Sequence, residues 1–146
     1  MNPVINWGID WVWGLPLIVL TVVIHAYGLG FINKKLASTL NEESQQRGVS
    51  SVSILVMGGT ALWATMLHGF EGMIWATAYR LLGALQDNKS AMLYSICALT
   101  TYGHENIVLE PHWRMMGALE ALNGWILFGL TAAFLFTVMQ KAWPQS

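Results

Sequence analysis

The sequence predicts an all-α integral membrane protein with three spanning helices and one short re-entrant helix. Three observations carry this expectation. Apolar residues make up 55% of the 146-residue chain and charged residues only 10%, against about 25% charged in soluble proteins. Three apolar segments reach the roughly 20 residues that a spanning helix needs. Between the second and third of them lies SAMLYSICALTTYGHEN, residues 90–106, which is too short and too polar at its end to cross a bilayer. Irregular backbone at membrane depth survives only where protein or a water-filled cavity satisfies its amides. This stretch is therefore expected to line a pore or an internal cavity.

The first apolar segment covers residues 11–32, WVWGLPLIVLTVVIHAYGLGFI, with Pro16 near its first turn, where a missing N–H costs least. Trp7, Trp11 and Trp13 belong at the entry interface, where tryptophan concentrates. The N-terminus has no Lys or Arg before this segment, so it lacks the basic region of a secretory signal and reads as a retained anchor. Residues 33–51 form the one strongly polar stretch, a loop whose first half can extend the preceding helix and in which Gly48 should end any helix. The second segment, from Val52 to about Leu85, is longer than a hydrocarbon core of about 30 Å requires. It should be strongly tilted, or broken near Gly69 and Gly72. Asp87, Asn88 or Ser90 can cap a short helix over residues 89–99. Pro111 breaks the return, and a third span follows over residues 113–138, with Gly117, Ala118, Ala121 and Gly124 keeping one face small for close helix packing. Gly124 and Gly129 are candidate bending points. The chain thus divides into residues 1–51, holding the first span and linker, and a module over 52–146. Within that module lie an outer helix (52–85), a short helix (89–99), a polar loop (100–106) and an inner helix (113–140).

A net charge of −1 argues against nucleic acid as a partner and leaves the lipid bilayer. A single cysteine, Cys97, excludes an internal disulfide and reads as a small packed hydrophobe. There is no phosphate-binding glycine loop, dinucleotide fingerprint or nucleophilic triad, so no enzyme is expected. Of the seven basic residues, Lys34, Lys35, Arg47 and Lys141 fall on one side of a three-span topology, against Lys89, Arg114 and Arg80 towards the other. By the positive-inside bias the first of these sides, with the C-terminus, is cytoplasmic, and the N-terminus and the re-entrant loop lie outside.

The order of span, short helix, TTYGHE, return and span resembles the pore module of tetrameric potassium-type channels. The segment IVLEPHWRMMGALEALNGWILFGLTAAFLF is similar to the inner helix of small prokaryotic three-helix ion channels. HGFEGMIWATAYRLLGAL and LTVVIHAYGLG resemble further blocks of that family. The resemblance implies a homotetramer around a central pore, a prokaryotic inner membrane, and permeant or bound cations (potassium, sodium or a divalent ion) with no other cofactor. It also implies a filter of the pattern Thr-Thr-x-Gly-Tyr-Gly-Asp. Here Thr100, Thr101 and Gly103 match and Tyr102 takes the variable place. His104 stands for the tyrosine, Glu105 for the second glycine and Asn106 for the aspartate.

Glutamate should not adopt cheaply the backbone that a filter glycine reaches, so the expectation is an altered filter, weakly selective or divalent-preferring. Four copies of Glu105 would form an acidic ring that admits cations, and His104 beside it would make the entrance pH-sensitive. Together His104 and Glu105 also suit a metal ion. Four further polar residues lie inside the spans. His25, His68 and Glu71 can hold a proton or metal if they converge, or His68 and Glu71 can serve as a structural pair one helical turn apart. Glu120 either packs behind the loop, bonded to its amides or hydroxyls, or faces the pore. The alternative to a channel is a non-conducting pore-like scaffold or a metal-binding membrane protein.

Overall fold

The computed structural model describes residues 8–43, 51–103 and 106–142. It contains four α-helices: α1 (Gly8–Glu43), α2 (Ser51–Leu81), α3 (Asn88–Leu99) and α4 (Arg114–Ala142), with a single 3₁₀ turn at Pro111–Trp113 ahead of α4. No strand occurs among the described residues. Three segments are long and apolar enough to cross a membrane: Gly8–Lys34, Ser53–Leu81 and Pro111–Lys141.

The three long helices run up, down and up. Side-chain contacts fix their directions. Asp10 of α1 accepts a bond from the Met116 amide of α4 at 3.1 Å, and 108 residues separate Lys141 from its α1 partner Asn33 at the other end of the pair. The two helices are therefore parallel and in constant register. Helix α2 opposes them, since Gly28 accepts from Trp63 Nε1 at 3.0 Å while the earlier His25 pairs with the later Glu71.

Burial does not sort polar from apolar side chains as it does in a soluble bundle. Asp10, Thr21, His25, Glu71, Ser95, Glu120 and Asn123 are fully buried, whereas Val12, Val19, Leu55, Leu62 and Trp125 face outward. Lipid tails are as apolar as leucine, so nothing drives apolar side chains off the lipid face, and polar side chains bond across helices instead.

Helix α1 runs on through the first half of the polar stretch, as expected, whereas α2 departs from the expectation. Helix α1 continues to Glu43, about 16 Å beyond residue 32 at the usual rise, because LASTLNEE contains no Gly or Pro to stop it. Gly48, expected to end it, lies outside the described residues. Helix α2 is unbroken at Gly69 and Gly72 and ends at Leu81 rather than near Leu85. Its stop is Gly83, whose φ of +69° suits glycine. The Ala84 amide bonds back to the Tyr79 carbonyl at 2.9 Å, the six-to-one closure of a Schellman cap. Arg80 then holds the turn into α3, donating to the Leu85 carbonyl at 2.9 Å and to Asn88 Oδ1 at 2.8 Å.

Helix α3 is the expected short helix. Asp87 is its N-cap, accepting from the Ser90 amide at 2.8 Å. That bond with Ser90 holds the Asp87 carboxyl below its ordinary range. At about 18 Å long α3 cannot span a hydrocarbon core. It runs alongside α4 and in the same direction, with Tyr94 against Gly117 and Leu99 against Gly124. The chain therefore rises along α3 to the level of Gly124 and is back at the start of α4 by Pro111. The best-packed apolar cluster sits at the end where α3 begins: Trp75, Tyr79, Tyr94, Trp113, Met116 and Leu119.

Candidate functional site: the loop after α3 and a buried polar ring

The loop after α3 begins with a tight backbone closure. The Tyr102 amide bonds to the Cys97 carbonyl at 2.9 Å and the Thr101 amide to the Ala98 carbonyl at 3.0 Å. This too is a Schellman pattern, but the residue in its left-handed position is Thr101, at φ +55°. A β-branched residue there is strained by roughly 1–2 kcal/mol, and the Thr101 hydroxyl offsets part of that by donating to the Thr100 carbonyl at 2.7 Å. Gly103 is also left-handed, at φ +87°. Tyr102 projects outward and is 85% exposed. His104 and Glu105 lie outside the described residues. Thr100 and Thr101 border a cavity of about 320 Å³ that Leu99, Trp125, Phe128 and Gly129 complete.

The helix that leads into this loop is held by a buried carboxylate. Glu120 of α4 is fully buried. Its Oε2 accepts from Tyr79 Oη of α2 at 2.6 Å, and its Oε1 bonds Ser95 Oγ of α3. Ser95 Oγ also lies 2.7 Å from the Gly72 carbonyl, so its single proton is shared between two acceptors. One side chain thus ties α2, α3 and α4 together at mid-height. Glycines permit the close approach on either side. A Cβ at Gly117 would overlap the Tyr94 hydroxyl, and a Cβ at Gly124 would overlap the Leu99 carbonyl. Gly129, the other candidate bending point, has open space around it.

A second polar assembly lies where α1, α2 and α4 meet. His25 Nδ1 is 2.8 Å from Glu71 Oε1, and His25 Nε2 is 2.9 Å from Thr131 Oγ1. His68 Nε2 is 3.1 Å from the same hydroxyl, and His68 Nδ1 is 3.3 Å from Glu71 Oε2. The four side chains close a ring: Glu71, His25, Thr131, His68 and back to Glu71. The side chains of His25 and Glu71 are fully buried and that of His68 is 13% exposed. Phe128 stacks on the His68 ring with centroids 4.3 Å apart. Because Phe128 also lines the cavity beside Thr100 and Thr101, the ring lies one aromatic side chain from the loop.

The structure therefore brings His25, His68 and Glu71 together and keeps Glu120 separate, behind α3. Sequence reasoning missed three of the contributing residues. Thr131 was hidden in LTAAF, where a hydroxyl inside an apolar run looks unremarkable, although such a hydroxyl can bond across membrane helices. Tyr79, near the end of the second apolar segment, is fully buried against Glu120. Asp10, also fully buried, serves the first turn of α4, where a carboxylate suits the exposed amides and the positive end of the helix dipole. The available signal was an acidic residue immediately before the first apolar segment, at the edge of a span where charge is expensive. A further inter-helix bond, Asn123 Nδ2 to Thr21 Oγ1 at 2.8 Å, fills the level between Asp10 and His25.

A family model described as an ion channel matches residues 67–141, just over half of the chain. The match takes in the lower part of α2, all of α3, the loop and nearly all of α4. No curated protein and no solved structure matches the chain.

Proposed function

The chain belongs to the ion channel family whose model covers residues 67–141, and from that premise we propose a cation channel whose filter is altered at its centre. In this reading α3 re-enters the membrane beside α4, residues 100–106 form the selectivity loop, and α4 lines the inner vestibule. The observation that carries it is the path of the chain: α3 stops at the level of Gly124, and the loop returns to the same end of α4 past a cavity bordered by Thr100 and Thr101. One loop cannot enclose a pore. The exposed Tyr102 and Trp125 beside that cavity are suited to neighbouring copies, and a homotetramer is the assembly that the potassium-channel-like module implies.

The carbonyl end of α3, partially negative, favours cations at the pore axis. Beyond it a ring of Glu105 would attract them further, with His104 adjusting that ring as pH changes. Glutamate in place of the second glycine supports weak or divalent-preferring selectivity over strict potassium selectivity. Lys34 and Lys141 belong to the same end of the α1–α4 pair, where Lys141 bonds Asn33 at 3.3 Å. That end supports a cytoplasmic assignment by the positive-inside bias, with the N-terminus and loop on the outer side of a prokaryotic inner membrane.

The test is flux through the purified full chain in liposomes, comparing potassium, sodium and calcium, with Glu105→Gln alongside. Wild type should pass more than one of these ions, and Glu105→Gln should reduce calcium entry relative to potassium on the order of tenfold, equal to about 1.4 kcal/mol. Potassium-only flux indifferent to Glu105 would mean that the loop holds an ordinary potassium filter. Absence of flux for every ion across a range of pH would favour a non-conducting scaffold.

A further inference from the structure

The ring formed by Glu71, His25, Thr131 and His68 contains too few protons for its contacts. Thr131 has one hydroxyl proton, and both histidine Nε2 atoms face its oxygen. That proton can satisfy one Nε2 lone pair, so the other imidazole must carry its own Nε2 proton and donate to Thr131. A neutral imidazole protonated at Nε2 has a bare lone pair at Nδ1. His25 cannot be that ring while its Nδ1 is hydrogen-bonded to Glu71 Oε1 at 2.8 Å. The role falls to His68, whose Nδ1 and the facing Glu71 Oε2 are buried with no hydrogen-bond partner among the described residues. Two lone pairs thus confront each other across 3.3 Å inside a helix bundle. That arrangement is repulsive unless a cation lies between them.

We propose that His25, His68 and Glu71 form a binding site for a divalent transition-metal ion of the zinc class, with Thr131 orienting both histidines from behind. The spacing suits such an ion. Ligand atoms about 2.0–2.1 Å from a tetrahedral zinc lie about 3.3–3.4 Å apart, close to the separation of His68 Nδ1 and Glu71 Oε2. One candidate ligand atom from each of the three residues falls within 4.8 Å of the others, so a small adjustment of the His25 ring, releasing its bond to Glu71, completes three ligands. Both Nε2–H groups can then donate to Thr131, whose oxygen has two lone pairs. An acceptor behind each ligating imidazole is the usual arrangement around protein-bound metals.

The donor set also selects the ion. Two imidazoles and one carboxylate suit zinc, cobalt, nickel or copper, whereas calcium and magnesium require a shell made mainly of oxygen. His68 is the least buried of the three ligands, with its side chain 13% exposed. The site is separate from the loop residues His104 and Glu105, and it stands or falls without reference to ion flux.

The test uses Co²⁺ as the probe on the purified full chain in detergent or nanodiscs, read by visible d–d absorption and by elemental analysis after dialysis. Wild type should bind one Co²⁺ per chain, displaced by Zn²⁺. Glu71→Gln and His68→Asn should each weaken binding by 100-fold or more, and Thr131→Val by about 10–100-fold, as expected for an orienting partner. Glu105→Gln should bind as wild type. Should the ring variants fail to fold, Cu²⁺ bound to the wild-type protein should show two coordinating nitrogens by paramagnetic resonance. The proposal is overturned if folded wild type takes up no stoichiometric metal, which would leave a proton as the shared cation. It is also overturned if binding survives His68→Asn but is lost in Glu105→Gln, which would place the metal at the loop.

Discussion

Gly124→Ala is expected to abolish ion flux and to lower the stability of the purified protein by about 3 kcal/mol, the upper range for overpacking. The added Cβ would overlap the Leu99 carbonyl oxygen and would lie 2.8 and 2.9 Å from the Leu99 carbonyl carbon and Cα. These are backbone atoms, with no rotamer to move aside. Helix α3 would have to shift away from α4, and Leu99 is the last residue before the loop, so any shift displaces Thr100 and Thr101 with it. Gly129→Ala is the control. Its surroundings are open, and alanine is the better helix former by about 0.8–1 kcal/mol, so stability should hold or rise. Thermal unfolding in detergent and liposome flux should be measured on both variants. Loss of flux in Gly124→Ala alone would identify the packing contact as the requirement. Loss in a stable Gly129→Ala would instead show that α4 must bend at Gly129 for conduction.

The helices were legible because their signals are one-dimensional. A spanning segment is a count of apolar residues, and α3 is bracketed by Asp87 in front and polar residues behind. What the sequence concealed is relational. Gly69 and Gly72 look like breaks in α2, yet the helix continues through them, and Gly72 instead lies where Ser95 reaches its carbonyl. The small face holding Gly117 and Gly124 was readable as a packing face, but its partners, Tyr94 and the Leu99 backbone, become visible only when α3 is placed beside it.

The polar ring shows the same division. The ionisable residues within the spans were conspicuous by type, because such residues are expensive in a membrane. Their grouping was not. His68 and Glu71 share a face by helical spacing, but 46 residues separate His25 from Glu71 and 106 separate it from Thr131. Bringing them together requires the parallel register of α1 with α4, which no local pattern encodes. Asp10 and Thr131 were missed for a related reason: each bonds to a helix far away in sequence. The charged side chains reveal where the membrane interior is interrupted, and the register of the helices decides which interruptions become one site.

Glu120→Ala should cause the largest loss of stability, about 3–5 kcal/mol, as expected when one partner of a buried polar network is removed. It would leave the Tyr79 hydroxyl buried without its acceptor and break the direct tie between α3 and α4, while Ser95 kept only its bond to the Gly72 carbonyl. The informative comparison is Glu120→Gln. Its carboxamide oxygen can accept from Tyr79, and its NH₂ can donate to Ser95 Oγ, leaving the serine proton for Gly72. If Glu120 acts as a brace, glutamine should stay within about 1 kcal/mol of wild type and retain flux and selectivity, while alanine loses both. Thermal unfolding and potassium and calcium flux on the two variants separate the cases. A stable Glu120→Gln protein with altered selectivity would show that the carboxylate is felt by permeating ions and would place Glu120 within reach of the pore. An unchanged one would confine Glu120 to holding α2, α3 and α4 in the positions that present the loop, leaving Glu105 as the acidic residue from which selectivity should be sought.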